Sequence, residues 1–89
     1  MKAFDEHYNG EWANNAKMGM GVYIWPNGDT YEGEFISDFR EGKGTYFWKD
    51  KTVLEGWWQA DHLNGEAKFT DADDKKSDLI FVNGKLLQI

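Results

Sequence analysis

The sequence predicts an all-β chain: a single-layer antiparallel meander of about seven short strands, built from 23-residue β-hairpin repeats. Three observations predict it. The chain superposes on itself without gaps when slid by 23 places. In residues 31–36 of the second copy, aromatic or glycine residues alternate with acids at a period of two, the pattern of a half-buried strand. Turn signals separate these runs, clearest at Trp25-Pro26-Asn27-Gly28-Asp29, where Pro suits the first turn position and Gly supplies a positive φ.

The columns of the repeat are specific. Gly10, Gly33 and Gly56 share one column, Gly19, Gly42 and Gly65 a second, and Gly21 and Gly44 a third continued by Ala67. Eight of the ten glycines fall on these columns, which marks them as structural. Tyr23, Tyr46 and Phe69 align, as do Trp12, Phe35, Trp58 and Phe81. Tyr8 aligns with Tyr31 and Leu54, and Trp25 with Trp48 and Asp71. Three copies span 8–30, 31–53 and 54–76, with a half copy over 77–89, and all of 1–89 reads as one domain. The pattern decays toward the C-terminus, as a capping repeat does.

Each copy supplies two strands. Tyr31-Glu32-Gly33-Glu34-Phe35-Ile36 is the first strand of the second copy, and Gly44, Tyr46 and Trp48 share one face of the second strand. Strands are expected near 8–12, 20–25, 31–36, 43–48, 54–59, 66–70 and 78–83. The link within a copy, such as Ile36 to Gly42, is short and polar. Between copies, Trp25–Asp29 predicts a three-residue hairpin loop with a G1-type bulge. Its equivalents, Lys49-Asp50-Lys51 and Ala72-Asp73-Asp74, are poorer turns and predict looser hairpins. Expected cross-strand neighbours are Val22 with Glu32, Phe47 with Val53, and Lys68 with Asp78.

Composition bounds the function. A chain of 89 residues buries only about 60–65% of its unfolded surface, which leaves little room for an enclosed catalytic cleft. With no cysteine there is no disulfide framework and no thiolate metal site, which fits an intracellular, cytoplasmic setting. The segment Met1–His7 has no apolar core, so no secretory leader is expected, and the longest apolar run, Leu79–Val82, is too short to span a membrane. A net charge of −6 disfavours nucleic acid and anionic lipid, both of which select basic surfaces. Fifteen aromatics argue against disorder.

Tyr31-Glu32-Gly33-Glu34-Phe35 followed by Gly42-Lys43-Gly44-Thr45-Tyr46 resembles the MORN (membrane occupation and recognition nexus) repeat, with its Tyr-x-Gly-x-Trp and Gly-x-Gly-x-Tyr halves. The resemblance covers residues 8–83. It departs at Asn15, Asp38 and Asp61, where the family often has glycine; Gly84 alone keeps that residue. The resemblance implies a non-catalytic array that holds partner segments on its aromatic face, and pairing of arrays end to end.

If the column residues share one face, that face carries Tyr8, Trp12, Tyr23, Trp25, Tyr31, Phe35, Tyr46, Trp48, Trp58, Phe69 and Phe81. Either these rings pack only on one another, or the curled face forms a groove that receives a peptide or helix. The first nine of them are the candidate partner contacts. The opposite face interleaves Glu11, Glu32, Glu34 and Glu55 with Met20, Val22, Ile24, Phe47, Trp57, Ile80 and Val82, with Phe47 and Trp57 as candidate second-face contacts.

No constellation points to an enzyme, a cofactor or a metal. Glu32 with Glu34 or Glu55 could supply an acid and a base, but an open sheet face offers no pocket to separate their pKa values. His7 and His62 have no neighbouring ligand cluster. The acids Asp71, Asp73, Asp74 and Asp78 lack the central Gly and closing Glu of a calcium loop. The expectation is therefore a protein-interaction scaffold, cytoplasmic and cytoskeleton-associated, with a homodimer through an open C-terminal edge at Leu79–Asn83. The alternatives are a phospholipid-binding module, and an accessory structural subunit of a cytoskeletal or ciliary assembly.

Overall fold

The computed structural model describes residues 6–87. The N-terminal segment before Glu6, read above as lacking a leader, and the last two positions of the half copy lie outside them. Eight strands form one antiparallel sheet in sequence order: β1 (His7–Ala13), β2 (Ala16–Ile24), β3 (Thr30–Ile36), β4 (Phe39–Phe47), β5 (Val53–Gln59), β6 (His62–Thr70), β7 (Lys76–Val82) and β8 (Lys85–Leu86). No helix occurs among the described residues. The expected meander is present, with a short eighth strand added. The pairs Val22–Glu32, Phe47–Val53 and Lys68–Asp78 lie opposite one another as the alternation requires.

The link within each copy is tighter than the sequence suggested. Even-numbered strands start four residues earlier than expected, at Ala16, Phe39 and His62, so only two residues remain for each turn. These are Asn14-Asn15, Ser37-Asp38, Ala60-Asp61 and Asn83-Gly84, every one with positive φ. Two consecutive left-handed residues make a type I′ turn, whose twist matches that of the flanking strands. The departures from glycine at Asn15, Asp38 and Asp61 thus fall on the second turn position, which Asn and Asp tolerate better than other L-residues.

The hairpins between copies keep the expected three-residue geometry. At the first, Gly28 N–H donates to Trp25 O and Trp25 N–H to Asp29 O, both at 2.9 Å. The two later loops are not looser. Lys51 and Asp74 take up the positive φ (77° and 65°), and the corresponding bonds measure 2.9–3.0 Å. Side-chain carboxylates compensate for the missing glycine: Asp50 Oδ1 accepts from the Thr52 amide at 3.0 Å, and Asp71 Oδ1 from those of Asp73 and Lys75 at 2.9 Å.

The register explains the glycine columns. Gly10, Gly21, Gly33, Gly44 and Gly56 lie abreast across β1 to β5, and Ala67 follows on β6. The Tyr31 ring lies flat across this row, so a Cβ on Gly44 would overlap its phenol and one on Gly33 would come within 2.7 Å of its hydroxyl. Between Gly33 and Phe35 the ladder slips: β3 advances two residues while β4 retreats four, from Gly44 to Arg40. The two extra residues form a bulge around Gly42, whose φ of +70° explains its own column with Gly19 and Gly65.

The core sits on one face, centred on the second copy. Tyr31 is completely buried, and Phe35, Leu54, Trp58 and Ala67 are nearly so. Phe35 and Trp58 meet Tyr31 edge-on at 5.1 and 5.4 Å, the arrangement that ring quadrupoles favour. At the C-terminal end the expected open edge over Leu79–Asn83 is partly covered. Phe81 and Val82 pair with Leu86 and Lys85, Leu87 N–H donates to Ile80 O at 2.7 Å, and Asn83 belongs to the turn.

Candidate functional site

The aromatic face is built by residues that recur across the ladder: Tyr8, Tyr23, Tyr31, Tyr46, Leu54 and Phe69 lie abreast on successive strands. Its centre is filled rather than grooved. Tyr31, Phe35 and Trp58, expected among the partner contacts, are at most 7% exposed and have no surface to offer a partner. The Trp58 indole N–H donates to Gly44 O at 3.2 Å, and the Tyr31 hydroxyl to Glu34 O at 3.1 Å, so both polar tips are used inside the sheet.

The remaining candidate rings divide into two groups. Trp12 stands 58% exposed at the N-terminal end, edge-on to the half-buried Tyr8 at 4.9 Å. Tyr23, Trp25, Tyr46 and Trp48 form an unbroken strip with centroid spacings of 4.8, 5.2 and 4.7 Å, and Phe69 extends it from Trp48 at 6.2 Å. All five are half-buried. A depression of about 370 Å³ lies at the end of this strip, bounded by Asp29, Trp48, Lys49 and Asp50.

Two cations hold this face together, and the sequence reading passed over both. The Lys17 ammonium lies 5.1–5.9 Å from the ring centres of Tyr8, Trp12, Tyr23 and Phe35. One repeat on, the Arg40 guanidinium lies 4.3 Å from Trp58 and 5.7–6.0 Å from Trp25, Tyr31 and Tyr46. Each is anchored by the turn of the next copy. Lys17 N–H donates to Asp38 Oδ1 at 2.8 Å, and Arg40 N–H and Nε–H donate to Asp61 Oδ1 at 2.8 and 2.9 Å. The backbone returns the bond, Asp38 N–H to Lys17 O and Asp61 N–H to Arg40 O, both 3.1 Å. In the last copy Leu63 and Gly84 replace the ionic pair, yet Gly84 N–H still donates to Leu63 O at 2.7 Å. The signal was present: Lys17, Arg40 and Leu63 form a 23-residue column, as do Asp38, Asp61 and Gly84.

The electrostatics keep the phenols neutral. Burial, followed by the hydrogen bond and charge of Glu6, pushes the Tyr23 hydroxyl up to about 12. Burial, then Asp29, does the same for Tyr46, again to about 12. Tyr31 is raised further by burial, and Tyr8 is raised by burial and then the Glu11 charge. These groups are hydrogen-bond donors at neutral pH, not nucleophiles. Asp29 is itself buried and organises the strip, accepting from the Tyr46 hydroxyl and the Lys49 amide at 3.0 Å each. Asp38 is held below the usual carboxylate range, first by the Lys17 backbone amide.

The opposite face carries the second pair of candidates. Trp57 is 52% exposed and Phe47 is also exposed. A depression of about 840 Å³ lies on this side around Trp57, Glu66, Ile80 and Leu87. Each face thus carries a depression, one of about 370 Å³ beside Trp48 and one of about 840 Å³ around Trp57. Of the acids near the last turn, Asp71 serves the backbone: its Oδ1 accepts from the amides of Asp73 and Lys75.

No curated protein matches this chain. The MORN repeat family model matches residues 8–30 and 31–53, the two copies that hold the strip and both caged cations, and their boundaries coincide with the period read from the sequence. A gapless match over more than half the residues, on a meander of repeated hairpins, establishes that the chain belongs to the MORN repeat family, whose repeats commonly serve as protein- or membrane-binding modules rather than enzymes.

Proposed function

We propose that this chain is a non-catalytic protein–protein interaction scaffold that receives a peptide or helix across Tyr23, Trp25, Tyr46 and Trp48. The observation that carries this reading is the unbroken strip of half-buried rings, spaced 4.7–5.2 Å, on the two copies nearest the family pattern. Large, rigid, partly desolvated rings are the usual anchors of protein interfaces. Arg40 and Lys17 fix those rings from the sides, so little ordering remains to be done on binding. Trp12 and Tyr8 offer a second foothold at the N-terminal end. The setting that fits is cytoplasmic and cytoskeleton-associated.

Affinity capture followed by calorimetry on the recovered partner tests the assignment. Trp48→Ala is expected to weaken the complex by about 2 kcal/mol or more, the loss typical of a hot-spot ring. A partner that binds Trp48→Ala as tightly as the parent chain would remove the strip from the interface. The membrane reading draws on the family alone, and the net charge of −6 argues against it. Sedimentation with anionic liposomes at physiological salt decides between them, and robust co-sedimentation reverses the order. The third reading is a permanent accessory structural subunit of a cytoskeletal or ciliary assembly; a homodimer through the C-terminal edge would use Lys76–Leu79, the part of β7 outside its ladder with β8.

A further inference from the structure

Across the back of the sheet runs one row of side chains, a single residue from each of β1 to β7. Met20 lies opposite Glu34, Lys43 opposite Trp57, and Glu66 opposite Ile80. The row is closed at one end by Glu11, which faces the β2 bulge, and at the other by Leu87, bonded to Ile80. Every residue of the row is exposed. Its odd strands carry the repeat column Glu11, Glu34, Trp57 and Ile80. That column changes character halfway along: acid, acid, indole, aliphatic.

The first two members are seated alike. The Glu11 and Glu34 carboxylates lie over Gly19 and Gly42, the positive-φ glycines of the bulges. In the third copy Trp57 stands at the equivalent position, but only its Cβ approaches, 3.8 Å from where a Cβ on Gly65 would be. An indole 52% exposed where two earlier copies hold a solvated acid contributes nothing to the core. Together with Ile80 and Leu87 it lines the depression of about 840 Å³, with Lys43 and Glu66 beside it.

The spacing of the column suits one kind of ligand. Alternate strands lie about 9.6 Å apart, since neighbouring strands are separated by about 4.8 Å. Seven residues of an α-helix advance about 10.5 Å. A helix laid across the strands therefore meets the column once per heptad. We propose that this face docks an amphipathic helix of a partner protein, basic where it crosses Glu11 and Glu34, apolar where it crosses Trp57 and Ile80. The charge and the apolar wall together set its direction. This site lies on the face away from the ring strip and acts independently of it.

The test uses the full chain and a fluorescein-labelled helical peptide of about 25 residues, with two lysines one heptad apart followed by two leucines at the same interval. Fluorescence anisotropy is expected to show saturable binding that weakens as salt rises. Trp57→Ala is expected to weaken it at least tenfold, roughly the effect of losing one anchor ring. Ile80→Ser provides a second apolar variant, and circular dichroism confirms that each remains folded. Glu34→Lys should weaken binding at low salt and flatten the salt dependence, whereas Trp48→Ala should leave it unchanged. A peptide with glutamates in place of the lysines should not bind. No binding above a peptide with serines for leucines, or full binding by Trp57→Ala, overturns the proposal. So does a dimer in sedimentation equilibrium that Trp57→Ala dissolves, because a second copy would then own the face.

Discussion

Replacing Gly44 with Ala is expected to damage this sheet, and replacing Tyr31 with Leu at the same time is expected to repair part of the damage. The third copy contains that double change, with Leu54 at the tyrosine position and Ala67 at the glycine position. In the second copy the Tyr31 ring is fully buried and lies where a Cβ on Gly44 would have to go. Overpacking of this kind costs about 1–3 kcal/mol. Relief of glycine's conformational entropy in a strand returns roughly 0.5–1 kcal/mol, so Gly44→Ala should destabilise by about 1–2 kcal/mol. Tyr31→Leu removes ring volume from a packed core and the hydroxyl bond to Glu34 O, at a cost of about 2–4 kcal/mol.

If the two sites were independent, the double variant would lose the sum. In the third copy Ala67 is buried beside Leu54 and its methyl lies 2.8 Å from where a Cβ on Gly56 would be, so the methyl fills space that a tyrosine would otherwise occupy. The double variant should therefore recover about 1–2 kcal/mol of the summed loss, within the range measured for contacting residues. Urea unfolding followed by tryptophan fluorescence supplies the four free energies of the cycle. Additivity within about 0.5 kcal/mol would refute the reasoning, because sites in one packing unit do not behave that way.

Four further outcomes follow from the same geometry. Arg40→Leu should destabilise by about 1 kcal/mol, since it takes the charged partner from a half-exposed Asp61 carboxylate that keeps its backbone amide bond; adding Asp61→Gly, which recreates the Leu63–Gly84 pairing, should recover most of the loss in thermal melts. Ala60→Gly should stabilise by about 1 kcal/mol, because Ala60 holds φ at 48° in a type I′ turn, and a lowered melting temperature would contradict that assignment. The Tyr23 and Tyr46 phenols titrate near 12 in the folded chain against 10.0 ordinarily. Their contribution is therefore complete below pH 10 and lost as pH rises toward 12, so the urea midpoint should fall over that range, and less steeply in Tyr46→Phe. Gly84→Val should be as harmful as a column-glycine change despite lying outside those columns, since its φ is +83°, which melts of Gly84→Val and Gly44→Val compare directly.

The period and the alternation made the sheet, its order and its register legible, because both follow from side chains that repeat on one face. What escaped the sequence were features set by the backbone. The type I′ turns at Ser37-Asp38 and Ala60-Asp61 carry no glycine, so composition alone made them part of a short polar link and shortened β2, β4 and β6. The bulges at Gly19, Gly42 and Gly65 hide in the same way: a bulge with two extra residues keeps face parity, so Phe35 and Arg40 still share a face and the alternation gives no warning.

Which rings stay open to a partner was only half legible for a related reason. A column identifies residues that do the same structural work, and Tyr31, Phe35 and Trp58 recur because they make the core. Binding is better sought where a column breaks without damage to packing. The ionic pairs Lys17–Asp38 and Arg40–Asp61 give way to Leu63 and Gly84 with the backbone bond intact, so that break is structural compensation. The change from Glu11 and Glu34 to Trp57 and Ile80 is of another kind: Trp57 is 52% exposed and belongs to no core cluster among the described residues, so its indole adds a solvation cost. A change that local stability does not explain is the one most informative about what the second face must meet.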